Sequence, residues 1–265
     1  MADLNTSRFD HSTSDAYDRF MGRYSRELAV RMCDQAGLGA PMATLDVGCG
    51  TGALTAEMIR RLGADAVSAC DPSPTFVEGV TNRYPGVTIK PGAAESLPFE
   101  DDAFNLASAQ LVLHFVADPL KSVEEMKRVT KPGGYVSASV WDMTGGMGLF
   151  RAFGQAGSVV VPGERSFHPA KFGKPGEIVE LFEQAGLDSV REDLLTVDVG
   201  YEHFDDLWSS LLEAAGPTLA FISQLSPDQR LQMREVLFDC IGQPNGPFTI
   251  TASAWSAIGT KPHAA

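Results

Sequence analysis

Asp46, three closely spaced glycines and Asp71 are the residues of this chain whose types and spacing could do chemistry. The first four lie in Leu45-Asp46-Val47-Gly48-Cys49-Gly50-Thr51-Gly52, which reads as the end of a buried strand, a tight turn and the start of a helix. Glycine lets the backbone turn sharply and approach a ligand, while first-turn helix amides, lacking partners within the helix, attract negative charge. Asp71 ends a second apolar run, Ala66 to Cys70, where it could accept hydrogen bonds from a ribose, with Pro72 beside it. Gly48-x-Gly50-x-x-Ala53 also satisfies a dinucleotide fingerprint, so the loop alone is ambiguous. Asp46 separates the readings. A carboxylate two residues before the first glycine would repel a pyrophosphate, but would suit a ligand presenting an ammonium or sulfonium.

Further motifs follow in order: Gly92-Ala93-Ala94-Glu95-Ser96-Leu97-Pro98-Phe99, Asp102-Ala103-Phe104-Asn105-Leu106, Leu111-Val112-Leu113-His114-Phe115 and Lys131-Pro132-Gly133-Gly134. With these in view, the chain resembles the class I S-adenosylmethionine-dependent methyltransferases, in particular the small-molecule branch that includes the ubiquinone/menaquinone-biosynthesis type. The resemblance is dense over about residues 40–140 and continues beyond only as a strand and helix pattern. It implies S-adenosylmethionine as co-substrate, no metal, and a methyl acceptor that is a small molecule with an oxygen, nitrogen or carbon nucleophile. A nicotinamide-dependent oxidoreductase and a non-catalytic S-adenosylmethionine-binding protein are the alternatives.

Residue by residue, the resemblance directs Asp46 to the methionine end, Gly48, Gly50 and Gly52 to the cofactor's backbone, and Asp71 with Pro72 to the ribose. The family commonly has an aspartate for the adenine amino group where this chain has Ala93. That contact is either lost or supplied by Glu95 or water, while the backbone near Ala94 can still meet the ring. Gln110, after the fourth strand, is a contact for the amino-acid portion or a buried structural amide. Tyr17 and Arg23 lie on a helix that could close over the methionine carboxylate, which a guanidinium fork would suit. Candidate bases are Asp142 after the fifth strand, His114 after the fourth, and His168 between Phe167 and Pro169. Methyl transfer can also run without a base, since the sulfonium is already activated and alignment supplies much of the rate. Trp141, beside Asp142, is placed at the pocket rim. Met143, Met147, Leu149, Phe150 and Phe153 either line a substrate pocket or pack the cap.

Strands must deliver these residues to one edge. Strand-like runs at Ala43–Val47, Ala66–Cys70, Val87–Lys90, Asn105–Ala109 and Tyr135–Val140 alternate with helical segments near 52–62, 75–84 and 119–130. Asp118 and Pro119 read as the start of the last of these, with Lys127 and Arg128 at its end. Such alternation predicts a parallel sheet with right-handed crossovers and a ligand site at the strands' carboxyl ends. Tyr17, Phe20, Met21, Tyr24 and Leu28 form a helical stripe ahead of the first strand. Residues 142–173, rich in Gly, Met, Phe and Pro, show no clean period. A helix at Pro175–Ala185, a strand within 187–199, polar-faced helices over about 203–240 and a strand at Phe248–Gly259 complete the pattern. The resemblance implies an α/β, Rossmann-like, doubly wound seven-stranded sheet, mostly parallel with the last strand antiparallel, plus a helical cap. It gives one domain over 1–265, with a core at about 40–140, 187–199 and 248–260 and a cap or lid at about 14–37, 142–173 and 201–245.

A chain of 265 residues is long enough to bury a sizeable core. Its formal charge of −13 argues against nucleic-acid backbones and anionic membrane surfaces, both of which need a basic footprint. Cys33, Cys49, Cys70 and Cys240 have neither metal-ligand spacing nor a disulfide framework. No apolar signal core opens the chain and no segment is long enough to span a bilayer, so the sequence is read as cytoplasmic, without membrane insertion. No Asn-Pro-Pro-Tyr-like signature follows the fourth strand, where Ser108-Ala109-Gln110-Leu111 stands, and no carboxylate pair flanks it. Oligomeric state is left open.

Overall fold

A computed structural model describes residues 18–39, 41–163, 172–213 and 217–263. One seven-stranded sheet organises them, in the order β3-β2-β1-β4-β5-β7-β6. The strands are β1 Thr44–Val47, β2 Val67–Asp71, β3 Thr88–Pro91, β4 Phe104–Gln110, β5 Thr130–Trp141, β6 Asp188–Tyr201 and β7 Phe248–Thr260. Strands β1 to β5 pair in parallel, whereas β7 runs antiparallel to both β5 and β6. β1 is buried along its whole length, which its Thr-Leu-Asp-Val sequence tolerates only because Asp46 is hydrogen-bonded. Strand order reverses between β1 and β4, and a crevice opens there at the strands' carboxyl ends.

Helices α1 Gly22–Gln35, α2 Ala53–Leu62 and α3 Pro74–Arg83 cover one face, burying Ala29, Cys33, Leu54, Met58 and Val80 against Val67, Ala69 and Leu106. Helix α4 Pro119–Val129 begins as its sequence predicts: Asp118 Oδ1 accepts from the Lys121 amide at 3.0 Å, with Pro119 in the first turn. With α6 Glu177–Gln184 it packs Val123, Met126, Ile178 and Phe182 on the other face. The remaining helices are α5 Gly148–Val160, α7 Phe204–Leu212, α8 Pro217–Gln224 and α9 Pro227–Cys240. These four share one apolar cluster with α1 and with Val197, Val199, Ile250, Ala252 and Ala254 of β6 and β7.

Two readings of local structure are corrected here. Lys131-Pro132-Gly133-Gly134 lies inside β5, not ahead of it. Gly133 takes φ 76°, and a Cβ on Gly134 would sit 2.8 Å from the Asn105 carbonyl oxygen, so glycine lets the strand kink and close on β4. Residues 148–160, where no period was expected, form a 13-residue helix. Leu149, Ala152, Phe153, Ala156, Gly157 and Val160 are its buried face, an i, i+3, i+4, i+7 stripe that glycines obscure in the sequence. Tertiary burial outweighs their poor helix propensity.

Candidate functional site

The cleft at the ends of β1, β2 and β4 encloses ≈ 330 Å³. Asp46, Gly48, Gly50, Asp71, Pro72, Ala93, Ala94 and Gln110 all border it, brought together from positions up to 64 residues apart in the chain (110 minus 46). Gly52 lies just behind, as the N-cap of α2 at φ 90°. The sequence reading missed Ser25, Ser73, Phe76, Leu111, Val112 and Val116, which also line the cleft. Ser73, Leu111, Val112 and Val116 follow strand ends, which could have indicated them, whereas Ser25 and Phe76 reach the cleft from helices α1 and α3.

The glycine loop is shaped by its own hydrogen bonds. Gly48 and Cys49 amides donate to the Cys70 carbonyl at 2.8 and 3.0 Å, and the Gly50 amide donates to Asp71 Oδ2 at 2.9 Å. Gly48 has φ 70°, and a Cβ there would lie 2.6 Å from Val112 Cγ2. At Gly50, with φ 52°, a Cβ would meet nothing within 4 Å. The first position therefore serves packing, and the second keeps the cleft open. Leu111, at φ 62°, holds a left-handed conformation unusual for a branched side chain just where β4 ends in the cleft.

Electrostatically the cleft is one-sided. Asp46, Asp71 and Glu95 border it, and among the described residues no Lys or Arg does. Asp46 is 1 % exposed and accepts from the Thr55 hydroxyl at 2.5 Å and from the Thr55 backbone amide. Burial raises its pKa from the ordinary 3.8 to about 7, against the Thr55 hydrogen bonds, and the nearby Asp71 charge pushes in the same direction as burial. Burial also raises Asp71, opposed by the amides of Ser73 and Gly50. Glu95 Oε1 accepts from the Ala117 and Asp118 amides at 2.9 and 3.4 Å, tying the loop after β3 to the loop after β4. Gln110 Nε2 donates to the Ser25 carbonyl at 2.7 Å, while its shielded Oε1 has no hydrogen-bond partner. A cationic ligand with N–H or O–H donors fits this set: two buried carboxylates, an orphan amide oxygen, and a glycine where a side chain would intrude.

Other proposed site residues stand elsewhere. Arg23 is not at the cleft: its guanidinium forks onto both Asp206 carboxylate oxygens and lies 5.0 Å over the Tyr201 ring. That pairing holds Asp206 below the usual carboxylate range. His114 Nε2 accepts from the Trp141 amide at 3.0 Å, so that nitrogen carries no proton and orients the end of β5. Asp142 accepts from the Thr144 amide and hydroxyl at 2.9 and 2.6 Å, forming a turn after β5. Neither borders the cleft. Trp141 is 6 % exposed and packs edge-on against Tyr24, in the core and not at the rim. Met147, Leu149 and Phe153 are buried in the cap cluster, with Met143 and Phe150 packed against it. Tyr17 and His168 lie outside the described residues. Among those described, no group of three or more His, Cys, Asp or Glu could hold a metal ion, and no helix is long and apolar enough to cross a membrane.

Sheet order, reversed last strand and strand-end cleft define the class I methyltransferase architecture. Residues 45–138 match the methyltransferase domain family. Demethylmenaquinone methyltransferase of Chlorobaculum parvum is 38% identical over 90 residues, which is 34% of this chain and 37% of that protein. Malonyl-[acyl-carrier protein] O-methyltransferase of Erwinia pyrifoliae is 32% identical over 111 residues, 42% of each chain. The chain thus spans less than half the length of these curated relatives. A Haemonchus contortus phosphoethanolamine N-methyltransferase, solved with phosphomonomethylethanolamine and S-adenosylhomocysteine, shares the fold at a TM-score of 0.53 and 16% identity, over 95% of this chain and 60% of that one.

Proposed function

We propose that this protein transfers the methyl group of S-adenosylmethionine to an oxygen, nitrogen or carbon nucleophile of a small molecule. One observation carries the reading: a glycine-loop cleft bordered by three carboxylates and, among the described residues, no cationic side chain. When bound, S-adenosylmethionine supplies a methyl group already activated by its sulfonium charge. Asp46 and Gln110 would hold the amino-acid end, Gly48 and Gly50 would let the backbone approach it, and Asp71 would accept from the ribose. Ala93 and Ala94 would meet the adenine without a side-chain carboxylate, since the nearby Glu95 is engaged by the Ala117 and Asp118 amides.

His114 and Asp142 are assigned to structure, because their hydrogen bonds fix the end of β5 and the turn beyond it. Alignment of the acceptor and exclusion of water then carry the rate from this chain's side. The acidic cleft and the net charge of −13 disfavour nucleic acid and phosphate-bearing acceptors. The two curated relatives are named for different acceptors, demethylmenaquinone and malonyl-[acyl-carrier protein], and the proposal spans both. Unpaired Cys33, Cys49 and Cys70 suit a reducing, cytoplasmic setting.

Calorimetry tests the cofactor. S-adenosylmethionine and S-adenosylhomocysteine should bind in the micromolar range, roughly −7 to −8 kcal/mol, and NAD should not. Tighter binding of NAD would overturn the assignment in favour of an oxidoreductase. Turnover with a panel of phenols, amines and quinol-like acceptors then separates an enzyme from a non-catalytic binder.

A further inference from the structure

The helical turn at residues 18–20, which leads into α1, is fastened to the glycine loop by a closed ring of hydrogen bonds. Thr51, 6 % exposed and bordering the cleft, donates its hydroxyl to Asp18 Oδ1 at 2.5 Å. Its carbonyl accepts from Arg83 Nη1 at 3.0 Å, and the same Nη1 donates to Asp18 Oδ2 at 3.1 Å. Three elements therefore meet at one threonine: the segment before α1, the loop after β1 and the end of α3. Gly22 makes room for the ring, because a Cβ there would lie 2.9 Å from Asp18 Oδ1.

A second anchor lies about two helical turns further along. The Ser25 carbonyl accepts from Gln110 Nε2 at the end of β4, and Ser25 itself borders the cleft. Residues 18–25 thus run from the loop after β1 to the end of β4, fixed at both ends. Their outer side is held to the cap by the Arg23–Asp206 fork, by Arg19 Nε, which donates to Glu213 Oε2 at 2.5 Å, and by Phe20, Met21 and Tyr24, which are buried in the cap's apolar cluster, so that the Asp18 end alone rests on polar contacts. The inner ring is only half-buried, with Asp18 and Arg83 side chains 21% and 39% exposed. Water and salt can reach it and compete for its charges.

We propose that Asp18 and Arg83 are positioning residues that clamp this strap onto Thr51, so that exchange of the cleft's ligand is limited by opening of the clamp. The proposal rests on the reading of the cleft as the S-adenosylmethionine site for its ligand, but not for its geometry. Clamp opening frees Thr51 and the Asp18 end of the strap together, while the Gln110–Ser25 contact acts as the hinge side. Closure restores the enclosure and fixes the loop.

Stopped-flow binding and release of S-adenosylhomocysteine tests it. Asp18→Ala and Arg83→Ala should each speed release about tenfold, the rate equivalent of one charge-assisted hydrogen bond. Association should quicken too, so that affinity changes less than either rate. A merely structural lesion would slow association. The double variant should be no faster than either single one, and Arg83→Lys should restore part of the slow release. Should the alanine variants fail to fold, Asp18→Asn keeps the acceptor for Thr51 and removes the charge facing Arg83. Release within about twofold of the parent in all folded variants, or additive effects in the double variant, would overturn the clamp. Absence of S-adenosylhomocysteine binding to the parent would sink the cofactor reading alone. Hydrogen exchange on the ligand-free protein then decides the clamp, with Asp18→Ala raising exchange in residues 18–26 if it holds and leaving it unchanged if not.

Discussion

The Gly50 amide donates to Asp71 Oδ2 at 2.9 Å, joining a loop and a strand end 21 residues apart. The Ser73 amide donates to the other oxygen at 2.8 Å, so the carboxylate shapes the backbone on both sides. Each oxygen keeps a lone pair, and Asp71 borders the cleft. One residue therefore builds the loop and presents acceptors to whatever the loop surrounds.

Removing that carboxylate should show in two measurements. Asp71→Ala leaves the Gly50 and Ser73 amides without their acceptor, so stability should fall by about 1–3 kcal/mol in denaturant titration. Binding of S-adenosylhomocysteine should weaken by about 1.5–3 kcal/mol, the range for hydrogen bonds to a charged group. Loss of stability with affinity kept within about twofold would assign Asp71 to the loop alone.

Two glycines of the same loop should respond in opposite ways to one methyl group. At Gly48 the new Cβ would press on Val112 at 2.6 Å and occupy φ 70°, so Gly48→Ala should destabilise the fold. At Gly50 there is space, and the left-handed backbone alone costs about 1–2 kcal/mol. Gly50→Ala should therefore fold, yet lose affinity for S-adenosylhomocysteine as the methyl enters the cleft. Unchanged affinity in a folded Gly50→Ala protein would remove this glycine from the binding site.

Much of the cleft's lining was legible because strands present their ends in sequence order. Asp46, Gly48, Asp71 and Gln110 each terminate or follow a short apolar run, and a parallel sheet brings such ends to one edge. Arg23, His114 and Asp142 lie off the cleft for a different reason. Each has suitable chemistry, but its partners Asp206, Trp141 and Thr144 are set by packing or by a local turn that residue type does not reveal. The helix at Gly148–Val160 escaped notice because three glycines lowered its propensity, although its buried positions keep the helical spacing.

Asp46 gives the protein a pH dependence whose sign can be worked out. Its folded pKa, about 7, lies above the ordinary 3.8. Protonation is thus favoured in the folded state, and its stabilising effect is full below pH about 4 and is lost as pH rises through about 7. Asp46→Asn should flatten that part of the stability profile, read by thermal unfolding from pH 4 to 8. A cationic ligand favours the ionised carboxylate, so S-adenosylmethionine should bind more tightly as pH passes 7 and release a proton below it. Heats measured in buffers of different ionisation enthalpy would detect that proton; identical heats at pH 6 would exclude Asp46 from contact with the cation.

The last prediction concerns which cover over the cleft moves. Residues 142–173 and the segment around α1 were both expected to close, yet the packing separates them. Phe153 of α5 is fully buried and meets Phe221 of α8 edge-on at 5.8 Å, and Leu149, Leu207, Met233 and Leu237 are equally inaccessible. Such a layer opens only with much of its core, so Phe153→Ala should cost about 3–5 kcal/mol of stability. At the Asp18 end of the strap the contacts to Thr51 and Arg83 are polar and partly exposed and open at far lower free energy, whereas Phe20, Met21 and Tyr24 behind them are buried in the same cluster as the cap. Hydrogen exchange with and without S-adenosylhomocysteine should therefore show new protection concentrated in residues 18–30, while 148–160 exchange slowly in both states. Strong ligand-induced protection across 148–160 would mean that the cap itself folds down on the ligand. Equal protection of 18–30 in both states would mean that neither cover moves.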